Sequence, residues 1–256
     1  FQKLLMCSEN CNIKNLIDSY DYEKKFSCNN LLCKRQCEPV PKIEELLEML
    51  YRSPTKDNAY CRNWVIKQLQ LISKEISILL LPWFVELSKR YNEIAYNFLF
   101  PLSKKDQTFA FAYYFEIRCQ MNNKQTEIDL YKIFCNYIKM IDPHIKKEIA
   151  KTNNFIQLVQ IATSEDYTTK QWEHSFNNFF KINEHIRLPW NYNYICTGIV
   201  TECITRFNSY TRPWKIPIIV EEEGSIHGIE KVVNILIKSE DVRKDRLTMI
   251  VSCFIN

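Results

Sequence analysis

The sequence predicts an α+β protein in which a long block of helices precedes a short antiparallel sheet. Three observations carry that expectation. All three glycines lie beyond residue 195, and a stretch so long without glycine has little use for tight hairpins. Apolar residues recur at helical spacing from about 42 to 180, then at every second residue over 215–221 and 232–238. That change of period separates an amphipathic helix from a half-buried strand. The later runs are also β-branched, as in Val232-Val233-Asn234-Ile235-Leu236-Ile237, the composition of a buried strand.

Taken in order, residues 1–38 are irregular and rich in cysteine and asparagine; they read as a tail or the remains of a preceding helix pair. Pro39-Val40-Pro41 punctuates the chain, and Pro41 suits the first position of a helix over 42–50. Ser53-Pro54 closes that helix, because the residue before proline is driven away from helical angles. A helix over about 57–73 is lined by Trp64, Val65, Leu69 and Ile72; the next by Ile76, Leu79, Leu80, Trp83, Phe84 and Leu87. A third is lined by Ile94, Ala95, Phe98, Leu99 and Leu102, with Pro101 near its end. Asp106 then stands as the N-cap of an aromatic helix over 106–120. Its Phe109, Phe111, Tyr113, Tyr114 and Phe115 read as core packing, since a two-sided stripe suits an inner layer better than a stacking platform. Helices over about 127–140, 143–163 and 168–180 follow. Helices paired at about forty residues per pair have the rhythm of an armadillo- or HEAT-like α-helical solenoid.

Strands are expected near 199–207, 215–221 and 232–238, with Glu222-Glu223-Gly224 as a turn. After the last strand, Asp241 sits where an N-cap belongs, and Leu247, Ile250, Val251 and Phe254 mark one helix face. Apolar helix patterns at both chain ends lead to the expectation of a fragment of a longer protein. The division expected is an irregular segment over 1–38, a helical unit over 39–182 and a β-containing unit over 183–256.

Composition excludes several classes. Apolar residues make up 46% and charged ones 25%, an ordinary globular balance rather than a disordered one. A net charge of +4 is too mild to point to nucleic acid. No apolar run approaches the ~20 residues of a membrane span. Of the eleven cysteines, Cys7, Cys11, Cys28, Cys33 and Cys37 cluster, but without a Cys-x-x-Cys pair. Their spacing fits no common zinc module, so reduced thiols in the cytosol are the default.

The residue that draws chemical attention is Lys238. Strand alternation puts Asn234, Leu236 and Lys238 on one side, and a lysine ending an apolar strand emerges at an edge or meets an anion. Two readings stay open: a strand-end lysine that snorkels to solvent, or one held out for a nucleotide phosphate.

Here a resemblance bears on the choice. Ile235-Leu236-Ile237-Lys238-Ser239-Glu240-Asp241-Val242-Arg243-Lys244-Asp245 resembles the run Ile-Phe-Lys-x-Gly-Asp-Asp-Leu-Arg-Gln-Asp of phosphatidylinositol 3- and 4-kinases, slightly compressed. Upstream, Leu188-Pro189, Gly198-Ile199 and Phe207-Asn208-Ser209-Tyr210-Thr211-Arg212-Pro213 are similar, in the same order, to patterns of the class III 3-kinase. Glu44 to Leu50, Trp64 to Gln70, Leu79 to Tyr91 and Thr108 to Arg118 loosely resemble helices of that family's accessory domain. The likeness runs from about residue 40 to the end. A 4-kinase shares the lysine and the Arg-x-Asp pattern, but Gly198-Ile199 and the Phe207–Pro213 pattern fit the 3-kinase better.

The resemblance implies a helical accessory (PIK) domain followed by part of a kinase small lobe. It implies that Lys238 reaches the α-phosphate of ATP and that Ser209 hydrogen-bonds the terminal phosphates. Leu236 would then pack on adenine, and Asp245 would pair with Lys238 or orient it. On the residues alone, Ser209 is equally a solvated turn hydroxyl and Asp245 a first-turn acid that complements the helix dipole. Ser239, Glu240 and Lys244 depart from the family's Gly, Asp and Gln. The runs Asp-Arg-His-x-x-Asn and Asp-Phe-Gly occur nowhere in the 256 residues. The resemblance assigns them to a large lobe together with the Mg2+ or Mn2+ ligands, so this stretch alone is expected to be inactive. It further implies a phosphatidylinositol membrane surface as partner, a regulatory subunit on the helical domain, and a cytoplasmic protein peripheral on endosomal and autophagic membranes. The alternative is a non-catalytic helical-repeat scaffold or pseudokinase remnant.

Overall fold

A computed structural model describes residues 43–51, 59–121, 128–189, 191–210, 212–224 and 230–238. The cysteine cluster, Pro41 and the helix expected after Asp241 lie outside the described residues. Within them the chain is a mixture of helix and antiparallel sheet.

The helices are α1 (Ile43–Tyr51), α2 (Ala59–Leu69), α3 (Lys74–Leu79), α4 (Leu81–Ser88), α5 (Asn92–Ile94), a π-helical turn (Ala95–Leu99), α6 (Phe100–Lys105), α7 (Gln107–Gln120), α8 (Ile128–Met140), α9 (Pro143–Ser164) and α10 (Thr169–Ile182). Capping residues fix several starts. The Asp106 carboxylate accepts from Phe109 N at 2.7 Å, and Asp142 accepts from His144 N at 2.8 Å with Pro143 in the first turn. Thr168 and Gln171 form a capping box at α10.

One expected helix is broken and another carries a π bulge, and a proline lies at each. The helix expected through 76–87 splits at Leu80, which leaves Pro82 in the first turn of α4, where no N–H is required of it. The helix expected through 94–102 becomes α5, the π turn and α6. Pro101 thus opens the last segment rather than closing the whole. Pro101 cannot donate to the carbonyl of Asn97, and the Gln70 side chain takes that acceptor instead at 2.7 Å.

The strands are β1 (Ile186–Leu188), β2 (Asn191–Ile199), β3 (Thr205–Arg206), β4 (Trp214–Glu222) and β5 (Lys231–Ile237), all paired antiparallel. β1 was not expected, and β2 begins well before the strand expected from 199. The alternation of Tyr192, Tyr194 and Cys196 was the available signal. β4 is central: β5 covers one edge along its length, and β2 and β3 share the other. The 3-10 turn Thr201–Cys203 interrupts that second edge. Pro217 explains why it can. Its carbonyl accepts from Val200 N at 2.9 Å, so its missing donor falls on the same side, facing the gap instead of the β5 ladder.

Two cores result. One joins α1–α8 and the start of α9, with Phe84, Phe98, Phe109, Phe111, Tyr113 and Tyr137 fully buried. The aromatic stripe of α7 is therefore packing. The other lies between the sheet and the last two helices: Phe155, Val159, Trp172 and Phe176 meet Ile186, Cys196, Ile216, Ile218 and Val220. Along the helices the cores divide inside α9, between Ile149 and Phe155, and Tyr192 of β2 packs back into the first.

Candidate functional site

The sequence places its candidate residues around the β3–β4 hairpin loop, 207–213. Phe207 N donates to Pro213 O at 2.9 Å and Arg212 N to Ser209 O at 3.1 Å, which closes the loop on itself. Arg212 has φ 43°, a left-handed conformation that a non-glycine residue adopts at a cost. Ser209 is exposed near the tip.

Register brings Lys238 to this loop. Ile237 pairs with Trp214, so Lys238, exposed and one residue further, stands at the level of Pro213. Leu236 pairs with Lys215 and is 57% exposed, as is Val232. Alternation puts Val232, Asn234, Leu236 and Lys238 on the face turned away from α9 and α10. Ser209, Leu236 and Lys238 thus gather at one end of the β4–β5 pair. Asp245 lies outside the described residues.

Sequence reasoning missed what holds this end in place. Arg206 pairs with Asp166 at 3.0 Å and lies 5.4 Å over the Trp214 ring. Asp166, in the α9–α10 turn, has φ 55°. Trp214 in turn meets Trp172 of α10 at 6.1 Å. The hairpin is therefore tied to the last helix pair through one ion pair and two indoles.

A second tie joins sheet to helices at the opposite end. Arg187 makes a two-pronged bond to Glu223 at 2.6 and 2.8 Å, donates to Tyr192 O at 3.0 Å, and lies 4.3 Å over the Tyr192 ring. Tyr192 packs edge-on against Phe111 of α7, and Thr152 of α9 donates to Arg187 O at 2.7 Å. The Arg187 hydrogen bond and charge hold the Glu223 carboxyl below its ordinary range. Gly224, at φ 85°, supplies the left-handed turn that follows.

A cleft of about 370 Å³ opens in the helical block beside the π turn, lined by Arg62, Lys89, Arg90, Glu93, Tyr96 and Lys132 among others. Its charges largely answer one another. Arg62 meets Glu93 at 2.9 Å, Lys89 meets Glu86 at 2.6 Å and Lys132 meets Asp129 at 3.5 Å. Burial works against the Glu93 carboxylate, yet the Arg62 hydrogen bond, a backbone hydrogen bond and the Arg62 charge together hold its pKa below the ordinary value. This balance makes the cleft a poor anion site.

Among the described residues, no three His, Cys, Asp or Glu side chains gather as metal ligands, and no helix is long and apolar enough to cross a membrane. No protein-family model matches the chain, and no curated protein does either.

Proposed function

We propose that this chain is the helical accessory domain and the start of the small lobe of an ATP-dependent phosphatidylinositol 3-kinase, most like the class III enzyme. The observation that carries the reading is the order β3, Ser209 loop, β4, β5, ending with Lys238 at the level of Pro213. Phosphoryl transfer asks for positioning and charge neutralisation more than covalent help. A hydroxyl, an ammonium and an exposed aliphatic side chain at one sheet end suit a phosphate chain and its base.

On this reading Lys238 carries the α-phosphate, the Ser209 hydroxyl donates to the terminal phosphates, and Leu236 covers adenine. Bound ATP supplies the phosphoryl group for the inositol 3-hydroxyl; Mg2+ or Mn2+ would be held by residues other than those described here. The helical unit of 39–182 would carry a regulatory subunit, and phosphatidylinositol would be met at endosomal or autophagic membranes.

The test is an ATP acyl-phosphate probe, which acylates lysines beside bound phosphates, followed by peptide mapping of the 256-residue chain. Lys238 should be labelled preferentially and protected by excess ATP. Labelling spread evenly over surface lysines, unaffected by ATP, would sink the reading. The isolated chain should show no lipid kinase turnover above a Lys238→Met control. A second reading, a non-catalytic helical scaffold, is favoured by the departures Ser239, Glu240 and Lys244 from the kinase turn. It expects no labelling preference at all.

A further inference from the structure

We propose that the tip of the β3–β4 hairpin is an interfacial anchor that docks the protein on bilayers containing anionic lipid. The inference does not rest on the kinase reading, because it concerns side chains that reading leaves unused. Phe207 is 44% exposed and Tyr210 is fully exposed. Both sit on a convex loop whose own fold gives Tyr210 nothing to pack against. Tyr210, an apolar ring with a polar hydroxyl, suits the headgroup level of a membrane, and the wholly apolar Phe207 ring suits the acyl boundary beneath it.

Charge selects the partner. Between Glu202 and Glu221 the sequence has three cations, Arg206, Arg212 and Lys215, and no acid. Asp166 answers Arg206, while Arg212 is exposed at the tip. A cationic, aromatic protrusion complements the negative surface of an anionic leaflet.

Backbone geometry lowers part of the cost of entry. Phe207 N and Arg212 N are already bonded within the loop, so these donors are not stripped of partners when water leaves. Arg212 holds a left-handed conformation that glycine would adopt without strain. An arginine kept there at that cost fits a side chain with a role of its own.

The experiment uses the 256-residue chain with vesicles of phosphatidylcholine alone, or with one third phosphatidylserine, and no nucleotide or phosphoinositide. The chain should sediment with the anionic vesicles. Phe207→Ser/Tyr210→Ser should weaken that binding by about tenfold or more. Arg212→Gly separates function from structure: it should melt at a higher temperature yet bind about fivefold more weakly. Tyr210→Trp should gain fluorescence that brominated acyl chains quench, measured against the parent's five tryptophans. The proposal is overturned if the parent ignores anionic vesicles, if the double variant binds as well as the parent, or if the new tryptophan is not quenched. A tip that instead docks on protein gives the first of these results. Because no nucleotide is present, failure here leaves Lys238 labelling by the ATP probe as a separate question.

Discussion

The two faces of the β4–β5 pair both carry aliphatic side chains, and those side chains have opposite fates. Ile216, Ile218, Val220, Val233, Ile235 and Ile237 look toward α9 and α10 and belong to the second core. Val232 and Leu236, one residue out of phase, are each 57% exposed. Alternation tells these faces apart in part, because Lys215, Glu221, Asn234 and Lys238 interleave with the aliphatic residues of the second face, while the first is wholly apolar over 214–220 and 233–237. The difference teaches that apolar character here serves two ends: one face holds the fold, and the other presents surface that the described fold does not use. A nucleotide base is the occupant we propose for Leu236.

The sharpest way to break that contrast is Trp172→Ala. Trp172 is buried, stacked on Phe176 at 5.1 Å, and touches Trp214. Its loss should cost about 3–5 kcal/mol, read by urea unfolding, and should release the hairpin along with the core. A loss below 1 kcal/mol would mean that the covered face is not the structural one.

Thiol reactivity sharpens the same contrast. Cys196 lies within the second core, and burial pushes its thiol up to about 12. Cys203, in the 3-10 turn, is exposed. Iodoacetamide at neutral pH should modify Cys203 more than about a hundredfold faster than Cys196. Equal rates would show that the sheet opens readily from α9 and α10.

The Arg187–Glu223 tie should matter less and depend on pH. Glu223 is half exposed, so after screening its removal as Glu223→Gln should cost about 1 kcal/mol at pH 7. Its folded pKa is lowered. The contribution is therefore full above the ordinary carboxyl value of about 4.3 and fades as pH falls through the lowered folded value. Melting curves of parent and variant should converge in acid; a constant gap down to pH 2 would contradict the assignment. Smallest of all, Leu236→Ser should shift stability by no more than about 0.5 kcal/mol, whereas a larger loss would place Leu236 in the core.

Much of this was legible in order of residues. Asp106 as a cap, the aromatic stripe of α7 as packing and the switch to strands after the helices all follow from side chains acting on their nearest backbone. The break at Leu80 and the π bulge at Ala95–Leu99 were less legible. Pro82 and Pro101 were visible, but which side of each proline the chain would abandon depended on partners such as Gln70, twenty-seven residues from Asn97. Of the candidate site, the order of Ser209, Leu236 and Lys238 along strands was readable, and their gathering at one sheet end depended on the β3–β4–β5 register.

By itself, then, the sequence determined what local physics determines: periodicity, capping and the class of each segment, because a helix or strand is selected within a few residues. Only the tertiary structure decided that α9 and α10 are what cover the apolar face of β4–β5, that α9 serves two cores, and that Arg206 reaches Asp166 across forty positions. Those outcomes come from packing two layers against each other. The free energy of such packing lies in contacts between segments remote in the chain, and no window of sequence contains both partners.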